Sequence, residues 1–145
     1  MPRAVLTLLT VLAVALPGAT GAEDKKDGKK PKKPSLTLRA TPRFAFSPAN
    51  ILFTAELEGG DDVEELYCPE VEWEFGDGAK SVSEADCDPW EPGKTTIERR
   101  FTKRHEFQRA GRYEVRVTLT KGGKQVRETL NLQVKAGLGD PTIEY

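Results

Sequence analysis

Long apolar runs are scarce in this chain of 145 residues. The one that stands out, residues 4–16, spans 13 residues, short of the roughly 20 that a membrane-spanning helix needs. Nothing of membrane length follows it, so the remainder is expected to be soluble. Histidine occurs once, at His105, and cysteine twice, at Cys68 and Cys87. No pattern supplies His105 with a nucleophile and an orienting acid, and there is no G-x-S-x-G, no P-loop and no H-E-x-x-H. With those motifs missing, no enzyme is expected. Carboxylates are plentiful, but abundance alone does not make an acid–base pair with tuned pKa values. Cys68, Cys87 and His105 are too few and wrongly spaced for a zinc finger. Net charge is also near zero, 22 Lys and Arg against 23 Asp and Glu, which gives no general reason to expect nucleic-acid binding. A helical repeat sustained over three turns is absent as well.

What the chain has is turn residues and alternation. Gly and Pro number 13 and 10, a share that favours a turn-rich fold. Leu36 and Leu38 share one side of residues 35–40; Ile51, Phe53, Ala55 and Leu57 share one side of residues 51–57, which Gly59 and Gly60 close. Val71, Trp73 and Phe75 alternate with Glu70, Glu72 and Glu74 before the turn Gly76-Asp77-Gly78. Residues 97–107 form a weaker, strongly basic candidate. Tyr113, Val115, Val117 and Leu119 alternate with Arg112, Glu114, Arg116 and Thr118, and after Gly122-Gly123 the same logic runs from Val126 to Val134. Period-two alternation gives each strand one buried and one wet face, as in antiparallel sheets. Six or seven such strands over this length predict an all-β, two-sheet antiparallel sandwich.

The N-terminus has a different character. Arg3, the apolar stretch, the break at Pro17-Gly18 and the small residues 19–22 have the layout of a secretory signal peptide, with cleavage expected after Ala22. Residues 23–34 hold six Lys, three acids and no apolar side chain, so residues 23–35 are expected to form a disordered, charged linker. Residues 36–145 are then the single sandwich domain. Secretion to the extracellular space or a periplasm places Cys68 and Cys87 in an oxidising compartment, where they are expected to form a disulfide.

Two motifs carry a resemblance. Trp73-Glu74-Phe75-Gly76-Asp77-Gly78 resembles the W-D-F-G-D-G motif of PKD domains, and His105, Phe107, Gly111, Tyr113, Val115 and Val117 are similar to that family's H-x-Y-x-x-x-G-x-Y-x-V-x-L segment. Glu74 stands for the usual Asp, Phe107 for the usual Tyr, and the gap from Gly78 to His105 is longer than typical. The resemblance implies an immunoglobulin-like sandwich in a secreted or cell-surface protein, acting without catalysis as a spacer or an interaction module. It also implies structural roles for Trp73, Phe75, Gly76, Asp77, Gly78, His105, Phe107, Gly111 and Tyr113. Tyr113 is suited to bonding a turn backbone as tyrosine corners do.

Charge is split along the chain. Residues 56–91 hold 14 acids and one base, Lys80, whereas residues 92–127 hold 11 bases and three acids. In an immunoglobulin-like sheet the outward Glu70, Glu72 and Glu74 are expected to oppose Arg112, Glu114 and Arg116 in a cross-strand ladder. The basic run Arg99, Arg100, Lys103 and Arg104 suits either a polyanion or the acidic block. Asp61, Asp62, Asp86 and Asp88 are the candidates for Ca²⁺, without calcium-loop spacing; no cofactor is expected. Trp90, in a turn-rich loop beside Cys87, has two readings: a contact for a sugar ring or protein partner, or a cap on the core. The sequence points to a monomeric, secreted interaction or structural module. A polysaccharide-binding module using Trp90 is the alternative.

Overall fold

A computed structural model describes residues 33–138. The expected signal peptide, all but the end of the Lys-rich linker, and residues 139–145 lie outside the described residues. Alternation has become strands: β1 (Ser35–Thr41), β2 (Ala45–Phe46), β3 (Ala49–Glu58), β4 (Glu70–Glu74), β5 (Lys80–Ser83), β6 (Arg100–Phe107), β7 (Gly111–Lys121) and β8 (Lys124–Lys135), with one 3₁₀ turn at Glu64–Leu66. They form two sheets, β1-β3-β6 and β2-β8-β7-β4-β5.

The sheets face each other because one side of each strand is apolar. Ile51, Phe53, Ala55 and Leu57 of β3 are buried, as are Val71 and Trp73 of β4, Val115, Val117 and Leu119 of β7, and Leu132 and Val134 of β8. Phe53 sits at the centre, its ring 6.4 Å from Trp73, 5.8 Å from Phe75 and 6.2 Å from Phe107. Each such side chain contributes about 1.5–3 kcal/mol on burial, and the contacts of Phe53 with Trp73 and Phe75 join one layer to the other.

Three features depart from the sequence expectation. Strand β6 begins at Arg100 and not at residue 97; Ile97 is buried in irregular chain just before it. Strands β2 and β5 are too short to announce themselves by alternation. And not every pair is antiparallel: β2 runs parallel to β8, with Ala45 opposite Val134 and Phe46 opposite Lys135. The chain reaches β2 as it crosses from the three-stranded sheet to the five-stranded one between β1 and β3. Buried Ser47 holds the crossing: its N–H donates to Lys135 O at 2.9 Å and its Oγ accepts from Gly137 N at 3.1 Å.

Candidate functional site

The turn after β4 docks on the opposite sheet. Gly76 and Gly78 have φ of 81° and 94°, which glycine adopts without cost. A Cβ on Gly76 would stand 2.7 Å from Glu114 O and 2.8 Å from Glu114 N, so here close backbone approach excludes any side chain. Asp77 uses both oxygens: Oδ1 accepts from Ala79 N at 3.0 Å and Oδ2 from His105 Nε2 at 2.6 Å. His105 belongs to β6, so this bond joins the two layers. Its ring stacks on Phe75, with centroids 3.9 Å apart and 8° between planes, and meets Phe107 edge-on at 4.8 Å. Burial raises the Asp77 pKa, but the bonds from His105 and Ala79 more than offset this and hold the carboxyl below its usual value. The histidine is therefore engaged with an aromatic face and a carboxylate.

The second motif forms the other corner. Tyr113 Oη donates to Arg109 O at 2.7 Å, and its ring lies 4.4 Å from Phe107. A Cβ on Gly111 would come within 3.3 Å of that hydroxyl, so the glycine makes room for the corner.

The connection between β5 and β6 spans residues 84–99. Cys87 in it is disulfide-bonded to Cys68, with Cα atoms 6.3 Å apart. Closing a loop of 19 residues contributes about 3 kcal/mol in the chain-entropy picture. Tyr67 reinforces the attachment: its hydroxyl donates to Asp88 O at 2.9 Å and its ring lies 5.3 Å from Trp90. Trp90 is half-buried and packs against the core's edge beside the disulfide. Further along, Ile97 enters the core while Asp62 Oδ1 accepts from Ile97 N at 3.4 Å and from Arg99 at 3.3 Å. Arg99 also donates to Gly59 O at 2.9 Å. Between this segment, β4–β5 and β6 lies a cleft of about 370 Å³, lined by Tyr67, the disulfide, Glu84, Glu98, Arg100 and Thr102 among others.

The charge ladder takes a different form from the one expected. Strand β4 is only five residues long, and its antiparallel register with β7 sets Glu70 opposite Thr120, Glu72 opposite Thr118 and Glu74 opposite Arg116. Arg112 and Glu114 lie beyond the end of β4 and face Gln133 and Asn131 of β8 instead. Of the expected ladder, only Glu74–Arg116, at 3.1 Å, forms. Other counter-charges come from elsewhere: Lys80 reaches Glu74 at 2.5 Å and Glu72 at 3.7 Å, Arg100 reaches Glu56 at 2.7 Å, and Lys124 reaches Glu65 at 2.5 Å. Hydrogen bonds from Arg100 and Lys80 hold Glu56 and Glu74 below the usual carboxylate value. Glu70 moves the other way, raised by its hydrogen bond with Glu84 and by the adjoining charges of Glu84 and Glu72.

Of the basic run, Arg99 and Arg100 pair with the acidic block, whereas Lys103 and Arg104 form no ion pair among the described residues. Asp62 bonds Arg99, and no group of three His, Cys, Asp or Glu able to hold a metal ion occurs among the described residues. No described helix is long and apolar enough to cross a membrane. The sequence reading missed Phe44 and Phe46, 79% and 64% exposed on either side of the inward Ala45. Their short strand sits between prolines at 42 and 48 and offers too few residues for alternation to register.

Two facing sheets in this strand order, tied by an aromatic centre and by a turn docked across the layers, define an immunoglobulin-like β-sandwich. Among known families, the PKD domain matches residues 35–134. The chain belongs to the PKD domain family. No curated protein sequence matches it.

Proposed function

We propose that this chain is a secreted, non-catalytic PKD module that acts by contact with an extracellular protein or as structural support, after removal of residues 1–22. Family membership over residues 35–134 carries this reading, because PKD domains are generally non-catalytic modules of extracellular proteins. The disulfide agrees with an oxidising compartment. The contact face on this reading is the cleft beneath residues 84–99, where a rigid, disulfide-anchored segment borders both sheets and presents Glu84, Glu98, Arg100 and Thr102. Such a face is preorganised, so binding orders little further chain.

A photo-reactive residue placed at Glu98 in the full chain, expressed in its own host, tests this. A discrete cross-linked partner is expected from Glu98 and none from Thr129, on the outer face of β8. Equal labelling from both positions, or an adduct from neither, overturns the assignment. The glycan alternative rests on Trp90, which already packs against Tyr67; it predicts that Trp90→Ala loses signal on a glycan array without loss of thermal stability.

A further inference from the structure

The five-stranded sheet ends in two edges of opposite character. At the β2 edge, Phe44 and Phe46 are 79% and 64% exposed, and Leu138, three residues past the Lys135 that pairs with Phe46, is 97% exposed. Around them stand Arg43 and Lys135, which form no ion pair among the described residues, and Arg39, which reaches Glu56 at 3.8 Å. Arg39, Arg43 and Phe44 also line a groove of about 290 Å³ with residues 130–133 of β8. At the β5 edge, Val82 is 58% exposed and lies opposite Glu72 in register. Glu70 and Glu84 flank it, side by side just beyond the pair Val71–Ser83, and the nearness of Glu84 raises the Glu70 carboxyl above its usual range. Lys80, the nearest cation, is closer to Glu74 than to Glu72.

Exposed aromatics beside arginines are the composition of contact hot spots, and an exposed apolar patch of this kind marks an interaction surface. Strand order β2-β8-β7-β4-β5 sets the two edges four strand spacings apart, about 19 Å at the usual spacing. The edges of one molecule therefore cannot satisfy each other.

We propose that copies of this chain associate head to tail, the aromatic and basic β2 edge of one copy seating on the acidic β5 edge of the next. Phe44 and Phe46 meet Val82 in this contact, while Arg43 and Lys135 meet Glu72 and Glu84. The cations relieve the crowding of Glu70 and Glu84. The interface is heterologous, so one copy keeps a free edge of each kind and growth continues. Both patches are small and their charges exposed, so the association is weak and sensitive to salt.

Analytical ultracentrifugation of the mature chain tests this through two variants, one with Arg43→Glu and Phe44→Ser, the other with Val82→Ser and Glu84→Gln. The unaltered chain is expected to exceed twice the monomer mass at about millimolar concentration in low salt, and to return to monomer near 1 M salt, where the screening length is about 3 Å. Each variant alone is expected to remain monomeric. Mixed, the two are expected to form dimers and nothing larger, because each retains one complementary edge. Lys135→Glu and Glu72→Gln form a second pair if either first variant fails to fold. An unaltered chain that stays monomeric throughout, one that stops at a dimer, or variants that fail to pair when mixed each overturn the proposal.

Discussion

Gly76 is where the frame tolerates least change. Its φ of 81° disfavours any other residue, and the Glu114 backbone occupies the space a Cβ would need. Gly76→Ala is expected to cost about 2–4 kcal/mol in urea unfolding, whereas Gly78→Ala, with open space around it, meets only the backbone penalty. Asp77 makes a different prediction, because its contribution depends on pH. Its folded pKa lies below the unfolded value, so its stabilisation is present above the unfolded carboxylate range and is lost as pH falls through the folded value. Asp77→Asn is expected to lower stability by about 1 kcal/mol at neutral pH. The gap between it and the unaltered chain should close below about pH 4; a gap constant down to pH 2 contradicts the inter-sheet bond. These residues were visible in the sequence as a motif. Their partners were not, since Asp77 and His105 are 28 positions apart and meet only when the sheets stack.

Among the elements, alternation made the long strands legible: β1, β3, β4, β7 and β8 lie within a few residues of where the sequence placed them. Register was not legible, and the charge ladder failed for that reason. The residue opposite Glu72 depends on where β4 ends, which the Gly76 turn decides, and not on the alternation within it. The revised pairing gives a contrast. Glu74 touches both Lys80 and Arg116, so Glu74→Lys is expected to lower the melting temperature at low salt, with the loss shrinking as salt rises. Glu72→Lys, opposite Thr118 and touching only Lys80 at 3.7 Å, is expected to shift it much less; equal shifts contradict the register. The connection at residues 84–99 was legible as a loop with a disulfide, but the role of Trp90 was open because burial depends on Tyr67, 23 positions away. Packing on Tyr67 predicts that Trp90→Ala loses about 1–2 kcal/mol of stability, measured by thermal or denaturant unfolding.

At the scale of the whole molecule, a formal charge of −1 conceals a sheet whose two edges differ in sign. Part of the acidic block is neutralised internally, by Arg99, Arg100, Arg116 and Lys124. Glu70, Glu72 and Glu84 stand at the β5 edge, and Arg43 and Lys135, which form no ion pair among the described residues, stand at the other. Composition could not reveal this, because strand order decides which charges become neighbours. The same frame leaves the connection at residues 84–99 anchored by covalent and aromatic contacts beside an open cleft. On the proposed function the chain works outside the cytoplasm as an oxidised PKD module. Intact mass under non-reducing, denaturing conditions, on protein recovered from its own host's medium or periplasm, tests it most directly. The expected product starts at Glu23 and has a mass two hydrogens below that of the reduced form; a full-length chain retained in the cytoplasm with two free thiols would overturn that reading.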